Sequence, residues 1–266
     1  MNNIQAILSI DIDGTLIDSK EAIHPNDIQL LLDFPGNIQP ILATGRELYS
    51  TKPILHANGL FRDIPLPLPG VFMNGGTAYL PNEVLYIQHF FPVPLRDELI
   101  ALAESNPQTV FIFSTLNVSY VANPNHNITE QDYLIPVRSP AEEVPEEVLK
   151  VLIIERDRSA LERVVKSAAD LQTQMAYSLP FLFEINPPGI TKAVTLIKLI
   201  EKMGLSSGIP IYAVGDGEND LSLFELSQVS FAPSNAHPSI LEKADHVIIR
   251  EEKGIFHPIF SHLGIG

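Results

Sequence analysis

The chain has 266 residues, 45% of them apolar, enough to bury one large core or a core with a smaller partner, and this excludes disorder as its ground state. Asp and Glu number 32 against 17 Lys and Arg, a formal net charge of −15, and a field of that sign repels nucleic acid and anionic membrane. The absence of cysteine removes disulfides, thiolate catalysis and sulfur-ligated metal sites together.

Residues 4–10 (IQAILSI) read as a strand that stops at Asp11, followed by a helix over about 25–33. A second apolar run, 38–43, stops at Thr44, a helix is expected over 47–58, and a third run, 71–73, stops at Asn74-Gly75-Gly76. From about 84 to 188 the pattern changes. Strand-like runs fall at 84–91, 109–113, 118–122, 148–154, 172–177 and 180–185, and helical ones at 95–104 and 159–170. Prolines and acids over 136–147 mark a loop or an irregular helix. The first pattern then resumes: helix 191–203, strand 210–214 stopping at Gly215-Asp216, helix 218–226, strand 229–232, helix 238–244 and strand 246–249.

Buried strands alternating with helices indicate an α/β fold, a Rossmann-like, mostly parallel sheet with helices on both faces. Residues 83–188 read as a smaller inserted α+β domain between core halves 1–82 and 189–266, entered near Pro81-Asn82 and left near Pro187-Pro188-Gly189. Met1-Asn2-Asn3 leads into apolar residues without a basic segment or a cleavage site. No stretch approaches the roughly 18 uninterrupted apolar residues of a membrane span, so a cytoplasmic protein with no membrane or nucleic-acid partner is expected.

Asp11 closes the first strand and Asp13 follows on a turn that Gly14 permits, so one acid can attack while the other handles protons. The bland alternative is a solvated Asp-Gly turn. Residues 215–220 (GDGEND) end another strand, with Asn219 and Asp220 opening the next helix; alone, this is also an acidic helix start. It lacks the closing acid of a twelve-residue calcium loop. On adjacent parallel strands, Asp11, Asp13, Asp216 and Asp220 meet at the C-terminal sheet edge, and such a cluster calls for a hard cation, best matched by Mg2+. Thr44-Gly45-Arg46 offers a hydroxyl and backbone N–H to phosphate oxygens, or a helix cap. Lys192 opens a helix where the dipole disfavours a cation; a nearby anion or surface solvation must account for it.

The pieces DIDGTL (11–16), ATGR (43–46), ITK (190–192) and GDGENDLSLF (215–224) occur in the order of the haloacid-dehalogenase superfamily, which the chain resembles over essentially its whole length, most closely the Cof-like hydrolases with an inserted α+β cap. The resemblance implies a Mg2+-dependent phosphatase acting on small phosphorylated metabolites, such as sugar or cofactor phosphates. It implies Asp11 as the nucleophile that forms an aspartyl-phosphate, and Asp13 as acid-base and, through its carbonyl, a metal ligand. Asp216 would be the third ligand. Thr44, Gly45, Asn74 and Gly75 would lie at the phosphate, and Lys192 would neutralise Asp11 and the phosphoryl group. Asn219 and Asp220 would order Lys192 and the metal waters. APSNA (232–236) is similar to a family loop that places Asn235 toward the site, although Pro233-Ser234 replace the usual Met-Gly and Ala193 stands where Gly often follows the lysine.

The cap is expected to complete the pocket, with residues after the strands 84–91 and 109–122, or near Tyr133 and Arg138, as candidate leaving-group contacts. Phe90, Phe91, Phe111 and Phe113 are expected to pack its sheet. A phosphomutase of the same superfamily and a non-catalytic phosphometabolite sensor are the alternatives. A monomer or weak homodimer is expected.

Overall fold

The computed structural model describes residues 4–123, 137–138, 144–171, 173–179 and 181–264. Tyr133, the side chain of Arg138 and residues 136 and 139–143 of the expected 136–147 loop lie outside the described residues. The chain divides into two compact units, Met1–Ile87 with Lys192–Gly266, and Gln88–Thr191.

In chain order the first unit opens with β1 (Ala6–Ile10), α1 (Pro25–Leu32), β2 (Ile38–Ala43), α2 (Leu48–Ala57), β3 (Gly70–Phe72), β4 (Thr77–Leu80) and β5 (Val84–Gln88). The second unit holds α3 (Val93–Ser105), β6 (Val110–Ser114), β7 (Ser119–Ala122), β8 (Val137–Arg138), β9 (Lys150–Ile154), α4 (Arg158–Ala169), β10 (Gln174–Leu179) and β11 (Leu182–Asn186). The first unit resumes with α5 (Lys192–Lys202), β12 (Ile211–Val214), α6 (Leu221–Leu226), β13 (Val229–Pro233), α7 (Pro238–Leu241), β14 (His246–Ile248), α8 (Arg250–Lys253) and α9 (Phe256–Leu263).

The first unit's sheet runs β14-β13-β12-β1-β2-β3-β4-β5. Its pairs from β14 to β3 are parallel, and β4 returns antiparallel to β3. β1 is buried at all five positions, as a central parallel strand flanked by helices must be. Ile7, Ile41, Val71 and Ala213 of the strands share a core with Leu196, Leu199 and Ile200 of α5 and Leu223 of α6. From β1 the chain moves to β2 on one side, and after the second unit it returns to β12 on the other. The strand order therefore reverses between β1 and β12, the switch point beyond whose C-terminal strand ends ligands bind in open α/β sheets. That is where the polar residues following β1, β2 and β12 emerge.

The second unit's sheet, β10-β11-β9-β6-β7-β8, is antiparallel except between β7 and β8. Phe111, Phe113, Val151, Ile153 and Phe183 alternate onto one face, where they meet Leu99 of α3 and Leu161 and Val164 of α4. The opposite face carries Val110, Ile112, Leu152 and Ile154, and continues to a buried Lys150–Glu184 ion pair at 3.7 Å.

Several boundaries differ from those read in the sequence. The run expected as a strand over 84–91 ends at Gln88, and Val84–Gln88 extends the first unit's sheet rather than the second's. Its alternating exposure, with Val84 and Tyr86 open to solvent, is that of an edge strand. Phe91 joins the second unit's core, whereas Phe90 is exposed and does not pack as expected. β4 was not anticipated, because only a three-residue helical turn, Met73–Gly75, separates it from β3. α8 and α9 were also missed. Pro258 obscures α9 in the sequence, yet it lies in the first turn, where a missing N–H costs nothing. Among the described residues no helix is long and apolar enough to cross a membrane.

Candidate active site

Asp11 is the residue after β1, and its N–H still pairs with the Val214 carbonyl of β12, so its side chain is aimed by the last bond of the parallel ladder. The side chain is buried. Lys192, the first residue of α5, is buried as well, and its ammonium donates to Asp11 Oδ1 at 2.8 Å and to Asp220 Oδ1 at 2.7 Å. The anion required by a lysine at a helix start is therefore a pair of carboxylates. The other oxygen of Asp220 accepts the N–H groups of Asp216 and Gly217 at 3.1 and 3.0 Å, which closes the turn after β12. Gly215 has no room for a side chain, because a Cβ there would collide with the Asp220 carboxylate.

Asp216 lies beyond β12, the parallel neighbour of the strand that leads to Asp11, and Thr15 Oγ1 donates to its Oδ1 at 3.2 Å. Carboxylate oxygens of Asp11, Asp216 and Asp220 lie within 4.8 Å of one another. Gly14 makes this approach possible. Its φ of +72° suits glycine, and a Cβ would meet the Asp216 carboxylate head-on.

The electrostatics are those of a site built for added positive charge. Burial, then repulsion from Asp220, raise the Asp11 carboxyl well above its ordinary pKa, and Lys192 only partly offsets this. The same two causes push Asp216 up to about 6. Burial disfavours the Lys192 charge, but Asp11 and Asp220 outweigh it and hold its pKa above the ordinary lysine value. One lysine against three carboxylates leaves an excess of negative charge in a desolvated place. Both oxygens of Asp220 are occupied by donors, so Asp11 and Asp216 are the side chains best placed to ligate a hard cation. The all-oxygen donor set fits Mg2+.

Asp13 is the exception to the expected meeting of four acids. Its carboxylate is half exposed and lies on Arg46, which donates from Nε at 2.8 and 3.0 Å and from Nη2 at 2.6 Å. A planar guanidinium at the neighbouring strand end captures this carboxylate, which therefore stands apart from the other three.

Thr44 is fully buried beyond β2; its hydroxyl accepts the Arg46 N–H at 3.1 Å, a local turn rather than the cap of α2, which starts behind Glu47. Gly45 lies inside that turn. Asn74, at φ 54°, donates its N–H to the Thr44 carbonyl at 3.0 Å and accepts Asn219 Nδ2 at 2.9 Å, which ties the ends of β3 and β12 together. The Gly75 carbonyl accepts Thr195 Oγ1 of α5 at 2.8 Å. Asn235 is exposed and donates to the Gly14 carbonyl at 2.9 Å, so it braces the Asp13-Gly14 turn. Sequence reasoning gave no role to the Thr15 hydroxyl or to the Arg46 side chain, although both lie inside the quoted motifs. Thr195 carried no signal, since its role depends on where α5 docks.

The sequence profile of the haloacid dehalogenase-like hydrolase family matches residues 8–259, nearly the whole chain. The chain belongs to this family. A hydrolase of Schizosaccharomyces pombe is 27% identical to it over 91% of this chain and 84% of that protein. A 5-amino-6-(5-phospho-D-ribitylamino)uracil phosphatase of Bacillus subtilis is 22% identical over 91% of this chain and 88% of its own length. Among solved structures, a sugar phosphatase of subclass IIB of the superfamily shares the fold with a TM-score of 0.80 at 22% identity, covering 98% of this chain and 100% of that one. In this haloacid dehalogenase-like hydrolase, Asp11, Lys192, Asp216 and Asp220, from three of the quoted motifs, meet at one end of the sheet.

Proposed function

We propose that the protein is a Mg2+-dependent phosphatase that cleaves small phosphate monoesters, such as sugar or cofactor phosphates, through a phosphoryl group carried on Asp11. The observation that carries this reading is the buried Lys192 ammonium shared by Asp11 and Asp220, with Asp216 within ligating reach of Asp11. The family membership and the phosphatases among its relatives support it.

The Asp11 carboxylate attacks phosphorus, the ester P–O bond breaks, and the ester oxygen takes a proton from the Asp13 carboxyl and leaves as an alcohol. Water then attacks phosphorus and gives its proton to the Asp13 carboxylate. The Asp11–phosphoryl bond breaks with its electron pair returning to the Asp11 oxygen, so one ester and one water give one alcohol and inorganic phosphate. Lys192 neutralises Asp11 and the equatorial oxygens, while Thr44, Gly45, Asn74 and Gly75 hold the phosphoryl group. Asp220 and Asn219 keep Lys192 and the β12 turn in place, and Asn235 steadies the Asp13-Gly14 turn. The side chains of Asp11 and Asp216 and the main-chain carbonyl of Asp13 would hold Mg2+. When bound, the cation offsets the repulsion between Asp11 and an anionic ester.

The test is phosphate release from a panel of phosphorylated metabolites. Turnover with Mg2+, loss in EDTA and recovery on adding Mg2+ are expected, without any bisphosphate activator. Full activity in metal-free buffer would remove the metal, and no release from any ester would remove the phosphatase reading.

A further inference from the structure

We infer that Arg46 is a positioning residue for proton transfer, fixing the Asp13 carboxylate in the orientation from which it serves the leaving oxygen; this rests on the acid role given to Asp13 above.

Asp13 lies one residue beyond the buried Ile12, on a turn, with half of its side chain in solvent. An aspartate in that setting ordinarily samples several rotamers. Here Arg46 grips both of its oxygens, the Nε hydrogen shared between Oδ1 and Oδ2 and Nη2 adding a short bond to Oδ1. The guanidinium is itself pinned. The Arg46 main chain is fixed at both ends, its N–H donating to Thr44 Oγ1 and its carbonyl accepting the Met73 N–H at 2.9 Å. Arg46 Nη2 also donates to Glu21 Oε1 at 3.1 Å.

Glu21 has a φ of 59°, a conformation that a non-glycine residue adopts only under constraint. Asn58, just past α2, supplies that constraint: its Nδ2 donates to the Glu21 carbonyl at 2.9 Å, and its Oδ1 accepts the Ile23 N–H at 2.8 Å. Asn58, Glu21, Arg46 and Asp13 thus form one chain of contacts leading from the end of a helix to the acid.

Stability does not explain this construction, because ion pairs with a half-exposed partner contribute little. Geometry does. A proton donor must stand within hydrogen-bond reach of the atom it serves, and misplacement by about 1 Å can cost on the order of 100-fold. Arginine stays charged throughout, so it orients the acid without exchanging protons with it.

The consequence is selective. Departure of an alkoxide needs the proton from Asp13, whereas p-nitrophenolate leaves without one. The readout is kcat/KM for a hexose 6-phosphate and for p-nitrophenyl phosphate, measured with Mg2+ on the whole protein and on Arg46→Met, Arg46→Lys, Glu21→Gln and Asp13→Asn. Arg46→Met is expected to lose about tenfold or more on the alkyl ester beyond any loss on the aryl ester, in the same sense as Asp13→Asn. Arg46→Lys keeps the charge but not the fork, and is expected to show the same split. Glu21→Gln leaves Arg46 in place and is expected to show a smaller one, which keeps the inference testable should Arg46→Met fail to fold. Equal losses on both esters in the Arg46 variants, with a split in Asp13→Asn, would overturn this inference alone and make Arg46 a phosphate contact. Wild-type values in Arg46→Lys would overturn it too. No split in Asp13→Asn would overturn the acid role of Asp13, and this inference with it.

Discussion

Replacing Lys192 by Met removes the cation from a place where water cannot substitute for it. The lysine side chain is 0% exposed, and its partners Asp11 and Asp220 are 6% and 0% exposed. At 2.8 and 2.7 Å, with an effective dielectric of about 20, each contact carries about 6 kcal/mol of gross attraction, offset by several kcal/mol of desolvation per ion. Removing one member of such a buried group typically costs about 3–5 kcal/mol, because the carboxylates left behind are uncompensated. The loss has a definite pH dependence. Without the ammonium, which lowers it, the folded-state pKa of Asp11 rises further above its unfolded value, so the variant binds protons on folding. Its deficit is therefore full above that raised Asp11 value and shrinks as the pH falls through it. Lys192 of the wild type stays charged across that window, since its pKa is raised rather than lowered. Urea unfolding in EDTA at about pH 7 and about pH 5, followed by far-UV circular dichroism because the chain has no tryptophan, measures both effects. Turnover with Mg2+ should fall at least tenfold, about 1.4 kcal/mol. A loss of stability under about 1 kcal/mol that is equal at both pH values would refute the neutralising role of Lys192.

Three further outcomes follow from the same geometry. Asp11→Asn should abolish turnover while leaving the circular dichroism spectrum and unfolding midpoint close to wild type or higher, since it removes a repelled buried charge; wild-type-like turnover would exclude Asp11 as nucleophile. Gly14→Ala places a methyl group at positive φ against the Asp216 carboxylate, and should lose about 1–2 kcal/mol from the backbone alone, together with a weaker Mg2+ requirement curve; unchanged stability and Mg2+ affinity would contradict the packing. Asp245 accepts the Ser230 hydroxyl and N–H at 2.7 and 2.8 Å, which lowers its pKa, so its contribution is present above the unfolded carboxyl value and is lost as the pH falls through the folded one. Asp245→Asn should flatten the acid limb of the stability profile, and an unaltered limb would count against it.

Much of the site was legible because its residues sit at strand ends. A short apolar run that stops at a polar residue marks both the strand and the edge where ligands bind, which is how Asp11, Thr44 and Asp216 could be placed before any coordinates. Lys192 was flagged by its cost, since a cation at a helix start calls for either a nearby anion or surface solvation, and its burial between two carboxylates decides for the anion. Asp13 was misread as joining the other carboxylates, because chain proximity to Asp11 says nothing about where its side chain turns. The edge strand Val84–Gln88 was misread because its alternating pattern suits either sheet, and pairing is a property of neighbours.

The sequence by itself determined the alternation of strands and helices, the polar residues that end each strand, and the glycines that permit close turns, since these follow from local periodicity and backbone sterics. Only the tertiary structure decided which acids share an ammonium and which one is drawn to a guanidinium. Those choices are made between residues 28 to 181 positions apart in the case of Lys192 and 33 apart in the case of Asp13. Coulomb energy depends on separation in space and on burial, and neither can be read along the chain.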